Sequence, residues 1–449
     1  MTRARDLADG ADKDITGTLT TDGLTVAGNV SVDGGTIKLD GNYPTGTENV
    51  ALGNQALDDG SLSGGYNTAI GHNALSDNEG GANNTALGRN ALGSNTTASN
   101  NTASGYNALV LNTTGQQNTA LGADSLYTNA TGNGSVAVGR QALYASTASD
   151  NTAIGHNVMV ANTTGTLNVA VGGGVYGSTG GALSANTTGS NNTAVGHSAL
   201  RANTTGTKNF AAGYNSGIGT TTGQNNTFVG ADSGSSNTTA SFNTYVGSTD
   251  GTYGGAGGST TGDRNTFIGN GAGSRVTTGY RNTILGRYNG NQSGYNFSTA
   301  NNHIFLSDGD GVPRLYLTDS GDLIVPRVYN ATTSNSANVQ VDSVGIFRRS
   351  TSSRRYKNTI TDATHGLTEL LTLRPITYKG NNDGDTVYGG LIAEEVHDAG
   401  LTEFVTYNDD NEPDALAYGN MVSLCIKAIQ EQQATITALE ARIATLEAE

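Results

Sequence analysis

Ser352 and Lys357 have the residue types and spacing for a covalent reaction. A serine hydroxyl becomes a nucleophile only when a base removes its proton. A lysine can be that base where burial or neighbouring positive charge favours its neutral amine. Arg354 and Arg355 lie between the two. By spacing alone, Ser352-Ser353-Arg354-Arg355 reads first as a polar loop. Other constellations are weaker. Asp308 and Asp310 lack a bidentate glutamate at EF-hand spacing and read as a turn. Gly269-Asn270-Gly271-Ala272-Gly273 has no lysine and no following helix pattern, so a phosphate loop is not expected. His72, His156 and His197 each follow a repeated glycine. Equivalent histidines from several chains could meet at an ion, but without a His-x-His pair they read as exposed loop residues. No metal and no cofactor is expected. No convincing carboxylate pair suggests glycan hydrolysis.

The elements that would position these residues follow from composition and period. Of 449 residues, 65 are glycine and 8 are phenylalanine, tryptophan is absent and 14% are charged, too few large apolar groups for ordinary packed domains. Disorder of low-hydrophobicity chains usually brings high charge and proline, yet there are only 5 prolines. The net charge of −15 disfavours nucleic acid and anionic membranes as partners. One cysteine, Cys425, leaves no intrachain disulfide framework. The start MTRARDLADGADKD lacks an apolar h-region, and no apolar run reaches membrane-spanning length, so synthesis in a cytoplasm without a membrane route out is expected.

A repeat accounts for the composition. Asn-Thr-Ala-aliphatic-Gly recurs at Asn67 to Gly71, Asn84 to Gly88, Asn118 to Gly122, Asn151 to Gly155 and Asn192 to Gly196, with looser copies from Asn49 to Gly286. Most repeat glycines are 17 residues apart; the steps 172 to 196 and 247 to 269 are 24 and 22. Thr-Ala-Ile suits a short strand with alternating faces, and glycine suits the turn that ends it. A second short strand at Asn73-Ala74-Leu75 and a turn at Asn-Thr-Thr-Gly would complete a coil. Fourteen such coils would make a rod of roughly 65 Å, with stacking and association of identical chains supplying the burial that one thin coil lacks. These NTAIG…AL units resemble the head repeats of trimeric autotransporter adhesins, and similar repeats occur in phage tail fibres. The resemblance covers about 49–290 and implies a parallel β-roll packed as a trimer, although the family repeat is typically a little shorter than 17 residues.

Before the repeats, 1–14 is a candidate attachment peptide, and 15–48, with alternating residues and Asp-Gly turns, reads as a thin β shaft. The repeat roll is assigned 49–300, a hairpin and connector 301–351, with HIFLSDGDGVPRLYLT as the hairpin. From 352 helix formers and charges increase. Gly366 to Leu373 reads as a short helix stopped by Pro375, and Gly390 to Val396 as a buried segment entering a helix. Within 419–449, Val422, Cys425, Ile429, Gln432, Ile436, Leu439, Ile443 and Leu446 follow the 3,4 spacing of a coiled-coil seam.

The stretch Ser352 to Ile360, Leu373-Arg374-Pro375-Ile376-Thr377-Tyr378, Gly390 to Val396 and the terminal seam together resemble the endosialidase-type intramolecular chaperones of phage tail spikes and fibres. The resemblance covers about 350–449. It implies a domain that brings three chains into register, helps the stalk fold and cuts itself off. The family pattern at the cut is Ser-Asp-x-Arg-x-Lys; Ser352, Arg355 and Lys357 match it, and Ser353 stands where aspartate is commonest. The implied reaction is attack of Ser352 on the Thr351 carbonyl with Lys357 as base, breaking the chain between Thr351 and Ser352.

The expected fold is mainly β: an elongated homotrimeric β-roll or β-solenoid stalk, then a small α+β chaperone domain (352–449) ending in a coiled coil. The expected function is that of a phage tail fibre for host attachment, located in the virion and made in the host cytoplasm. Expected partners are two more copies of the chain, tail or baseplate proteins at the N-terminus, and a host glycan or protein receptor. Tyr176 and Tyr253, in the two longer repeats, are the candidate ligand-loop residues. A bacterial trimeric surface adhesin and a polysaccharide-degrading tail spike are the alternatives.

Overall fold

The alternation of the repeat requires Asn and Ala to share one side of the strand, and Thr and the aliphatic residue to share the other. The computed structural model describes residues 48–175, 180–249, 254–292, 294–326, 339–341, 347–349, 354–381, 384–408 and 410–448. Glu48 apart, the expected attachment peptide and β shaft lie outside them. The chain divides into two compact units, Met1–Thr332 and Thr333–Glu449.

The first unit is an elongated β-solenoid. Its strands run from β1 (Val50–Leu52) to β14 (Thr283–Leu285), one per coil, each three residues long. Each is parallel to the next and in register, so Thr68, Ala69 and Ile70 lie against Thr85, Ala86 and Leu87. Beyond a small hairpin of β15 (Asn291–Gln292) and β16 (Tyr295–Asn296), β17 (Ile304–Ser307) pairs parallel with β14. The stack therefore has one strand more than the repeat glycines predict: the first strand of the expected hairpin is also the last rung. β18 (Pro313–Leu317) and β19 (Leu323–Ile324) then continue antiparallel to it. Fourteen steps of about 4.8 Å give a solenoid of roughly 67 Å.

Two ladders of asparagine hold the coils together. The Asn84 backbone N–H donates to Asn67 Oδ1 at 2.9 Å, and Asn101 and Asn118 repeat the bond at 2.9 Å each. At the far corner Asn95 Nδ2 donates to Asn78 Oδ1 at 2.7 Å, and Asn112 to Asn95 at 3.0 Å. These asparagines are almost wholly buried, so each must satisfy both its own amide and a turn carbonyl. Asn67 Nδ2, for instance, donates to the Gly81 carbonyl at 2.9 Å. The step from Ser135 to Asn151 is 16 residues, and this short coil has serine, Ser135 and Ser146, at both ladder positions. Ser135 Oγ still accepts from Asn151 N–H, at 3.3 Å.

The second half of the coil is not a strand. Asn73 and Leu75 have φ of 53° and 50°, and Leu57, Leu92, Leu109, Leu126 and Leu143 repeat the left-handed conformation of Leu75. This backbone cannot be extended; it curls the chain tightly enough to bring the leucine under the strand. The leucines are fully buried against the central strand alanines, which offsets the roughly 1–2 kcal/mol that a left-handed residue costs. The repeat glycines permit close stacking: Gly122 has φ of 134°, and a Cβ there would lie 2.7 Å from the Gly139 carbonyl.

Further along, the large residue changes place. From Phe228 the strand centre is Phe228, Tyr245, Phe267, Ile284 and Phe305, while the leucine position becomes Gly217, Gly234, Gly257, Gly273 and Gly290. A Cβ on Gly234 would lie 2.4 Å from the Phe228 ring. The aromatic side chain thus fills the space the leucine occupied; Phe228 packs on Tyr245 with its ring tilted, centroids 5.5 Å apart, and Tyr245 stacks on Phe267 at 5.1 Å.

The second unit is a small α+β assembly. It has hairpins β20 (Val339–Val341) with β21 (Phe347–Arg349), β22 (Ile376–Lys379) with β23 (Val387–Gly390), and β24 (Val405–Tyr407) with β25 (Pro413–Leu416). Its helices are α1 (Leu367–Leu370), α2 (Ala393–Asp398) and α3 (Val422–Glu447). The first two fall where the sequence places helices, although α1 is shorter. Val396, Leu401, Phe404, Met421 and Leu424 form the core. Glu431 on α3 accepts the Leu367 N–H at 2.8 Å, tying the start of α1 to α3.

Asn118→Ala should leave the Ser135 N–H without its acceptor and take away one of the two donors on the Gly132 carbonyl, which keeps Asn129 Nδ2, at a cost of about 1–3 kcal/mol. Hydrogen exchange of the peptide covering 133–139 should accelerate, and Asn118→Ser should lose less, as the native Ser135 rung implies. Equal protection in all three proteins would contradict the ladder's role.

Candidate functional site

Both long coils depart from the repeat at the same corner. Each insertion follows the repeat glycine that ends the strand and is closed by a bond from the second half of the coil: Ala182 N–H to the Gly172 carbonyl at 2.9 Å, and Ala256 N–H to the Gly247 carbonyl at 3.2 Å. The two loops thus leave one edge of the solenoid four coils apart, roughly 19 Å. Tyr176 and Tyr253 themselves lie outside the described residues.

Between the loop roots, on the same corner, are His197 and Tyr214, 17 residues apart. Their rings stack at 5.5 Å and 17°, and Tyr214 is exposed. Neither His197 ring nitrogen has a hydrogen-bond partner. Sequence reading singled out His197 but not Tyr214; the signal was available, since both follow a repeat glycine. An exposed aromatic on a rigid edge can receive the apolar face of a sugar.

The three repeat histidines share this corner column without converging within the chain. His72 and His156 are five coils apart, roughly 24 Å. Arg140 Nη1 lies 3.2 Å from His156 Nε2. No group of three metal-ligating side chains occurs among the described residues. The Asp308 pair serves a turn: its carboxylate accepts from the N–H groups of Asp310 and Val312 at 3.1 and 2.9 Å and pairs with Arg314. These contacts hold the Asp308 carboxyl below the usual carboxylate range, with the Val312 N–H the largest cause.

At the expected cleavage site, Thr351, Ser352 and Ser353 lie outside the described residues. Arg354–Tyr356 form a single 3-10 turn, closed by the Lys357 N–H on the Arg354 carbonyl at 3.2 Å. The side chains of Arg354, Arg355 and Lys357 are exposed in the single chain.

Among the described residues, two long apolar columns are exposed. On α3 the expected seam faces solvent: Ile429 is 64% exposed and Leu446 61%, and Val422, Ile436, Leu439 and Ile443 are exposed too. The opposite side of the first turns, Leu424 and Ala428, is buried in the unit's own core. Along the solenoid, the outward residues that end the strands, aliphatic except for Ser104, make a column that includes Leu52 at 54%, Leu87 at 48% and Ile268 at 42% exposure. No described helix is long and apolar enough to cross a membrane.

No family model, curated protein or solved structure matches the chain. The repeat geometry and the two exposed apolar columns therefore carry the functional argument.

His365 Nδ1 lies 2.7 Å from Glu403 Oε1, just before α1. The hydrogen bond to Glu403 raises the His365 pKa above its ordinary value. A raised imidazole pKa contributes stability below the unfolded value, and that contribution is lost as pH rises through the folded value. An NMR titration should find His365 above the usual imidazole midpoint, and Glu403→Gln should lower it; an unchanged midpoint would remove Glu403 as the cause.

Proposed function

We propose that this chain is the subunit of a phage tail fibre, a host-attachment rod of three identical chains, and that its C-terminal unit is an intramolecular chaperone that aligns the three and then cuts itself free. The observation that carries this reading is the α3 seam. Apolar residues at heptad spacing over a helix of 26 residues, about 39 Å, stay exposed in one chain and would be buried in a coiled coil. The aliphatic column on the solenoid supports the same assembly, since identical in-register rods can cover it with one another. The NTAIG repeats and the Ser352-to-Ile360 stretch supply the resemblance to tail fibres and their chaperones. In this reading the rod belongs to the virion and is made in the host cytoplasm. Residues 1–14 join it to tail or baseplate proteins, and the corner bearing the two long loops faces a host glycan or protein.

Self-cleavage proceeds as follows. Ser352 Oγ attacks the Thr351 carbonyl while the Lys357 amine takes the hydroxyl proton. The peptide nitrogen of Ser352 leaves as the amine, taking the proton back from Lys357, and water hydrolyses the resulting ester to the Thr351 carboxylate and the Ser352 hydroxyl, separating 1–351 from 352–449. Because Lys357 is exposed in the single chain, burial favouring its neutral form would come from neighbouring chains, which makes cleavage follow assembly.

Two measurements test the proposal. Light scattering of the purified protein should give a three-chain mass, with Leu439→Asp/Ile443→Asp in uncleaved protein shifting it toward one chain; a single-chain mass for the unaltered protein would sink the reading. On a denaturing gel the unaltered protein should yield two fragments and Ser352→Ala one full-length band, whereas identical bands would exclude Ser352 as nucleophile.

A further inference from the structure

The opposite corner of the solenoid, where each strand begins, carries a different pattern. The residue before each ladder position adopts a left-handed conformation, with φ of 57° at Lys208, 61° at Phe242, 58° at Arg264 and 56° at Arg281. Each is held by its own N–H on a carbonyl of the coil before: Phe242 to Gln224 at 3.0 Å, Arg264 to Ser241 at 3.1 Å, Arg281 to Asp263 at 2.9 Å. Lys208, Asn225, Phe242, Arg264, Arg281 and Asn302 therefore form one column, one residue per step of about 4.8 Å. In the first nine coils this column, from Glu48 to Asn191, contains no lysine or arginine. The cations begin at Lys208, on a chain whose net charge is −15.

The aromatic rings of this corner are exposed and lie beside the cations. The Arg264 guanidinium lies 5.4 Å from the Phe242 ring centre, and Arg281 5.4 Å from that of Tyr280. Phe242 and Tyr280 are both exposed. No carboxylate of the described residues pairs with Arg264 or Arg281. The nearest acid in sequence, Asp263, accepts the Ser241 backbone N–H at 2.7 Å.

We propose that this column binds an acidic polysaccharide, with sugar carboxylates held by Arg264 and Arg281 and sugar rings laid on Tyr280 and Phe242. Guanidinium groups bind carboxylates through paired charged hydrogen bonds, and exposed rings receive the apolar faces of sugars. A linear chain running along the solenoid meets a ring or a cation at the successive rungs of Phe242, Arg264 and Arg281, which gives several weak contacts without a pocket. Single-stranded nucleic acid shares the need for rings and cations, but three cations on a strongly acidic protein are a poor match for its charge density. This inference rests on the attachment reading and adds to it a second ligand surface, opposite the corner of the long loops, with its own ligand class.

The test uses the whole protein with oligogalacturonate, a neutral maltooligosaccharide of equal length and an oligo-dT, each titrated by calorimetry at low and high salt. Oligogalacturonate should bind, more weakly at high salt, and the neutral sugar should not. Arg264→Gln/Arg281→Gln should lose about tenfold or more in affinity, and Tyr280→Ala should weaken binding with its charge unchanged. Circular dichroism should confirm that these surface variants keep the solenoid. No binding of oligogalacturonate, equal binding by the Arg variant, equal binding of the neutral sugar, or tighter binding of oligo-dT would each overturn the site. The same preparations are weighed by light scattering. A three-chain mass without oligogalacturonate binding overturns this site and leaves the fibre reading standing; a single-chain mass overturns the fibre reading itself.

Discussion

A coil of 17 residues encloses almost nothing. In most of the first nine coils its apolar interior is two alanines and one leucine, so apolar burial alone cannot hold the backbone in place. Its buried amides and carbonyls need partners, and within one coil there are too few. The asparagine ladders answer both needs: in one, each side chain accepts from the next coil's backbone, in the other from the next coil's asparagine amide, and in both it donates to a turn carbonyl. A buried polar group without such a partner costs more than a satisfied one gains, so every coil is stable only as a neighbour of another. Length, in-register pairing and the narrow interior all follow from that dependence.

Once the ladder fixes the backbone, interior volume becomes exchangeable. The leucine beneath the strand and the ring at its centre fill the same space from opposite sides, which is why Phe228 appears together with Gly217 and Gly234. The outward positions obey no such rule. Strand flanks and corners can carry serine, histidine, tyrosine or arginine while the rungs stay in place. Insertions are tolerated where the chain has already turned, after Gly172 and Gly247. Chemistry on this scaffold is therefore written in columns, one residue per coil, and reading it requires comparing positions about 17 apart rather than neighbours in sequence.

Much of the fold was legible in the sequence for that reason. The period, the strand residues and the exposed seam of α3 each leave a repeating signal. The second half of the coil was misread as a strand, because Asn73-Ala74-Leu75 has an apolar pattern that suits either conformation, and leucine is not a residue whose type announces a positive φ. The last rung was hidden because His303 stands in the asparagine column; its N–H still donates to Asn282 Oδ1 at 3.0 Å, which no motif built on asparagine would reveal. At the candidate sites, sequence found the long loops but not the shared corner from which they leave. Tyr214 and Arg264 were missed because their partners, His197 and Phe242, are one coil away, and the column through Arg281 because its members are a whole coil apart in sequence.

A repeat this regular creates a register problem that its irregular coils answer. Looping out one coil and stacking the next in its place would cost only a modest closure entropy if all coils were alike. They are not alike. The coil from Ser135 to Asp150 is one residue short and has serine at both ladder positions, so skipping a neighbour sets serine where a longer asparagine is needed. Near Phe228 the constraint is steric. Its ring lies over Gly217 and Gly234, where any Cβ would come within 2.6 and 2.4 Å. Looping out the Gly217 coil would bring the ring over Leu200 instead, an overpacking of about 1–3 kcal/mol. These departures mark position along a stack that would otherwise be degenerate. They act within a chain. In the proposed assembly, equivalent coils of separate chains would need an external marker, and the heptad seam of α3 is suited to provide it.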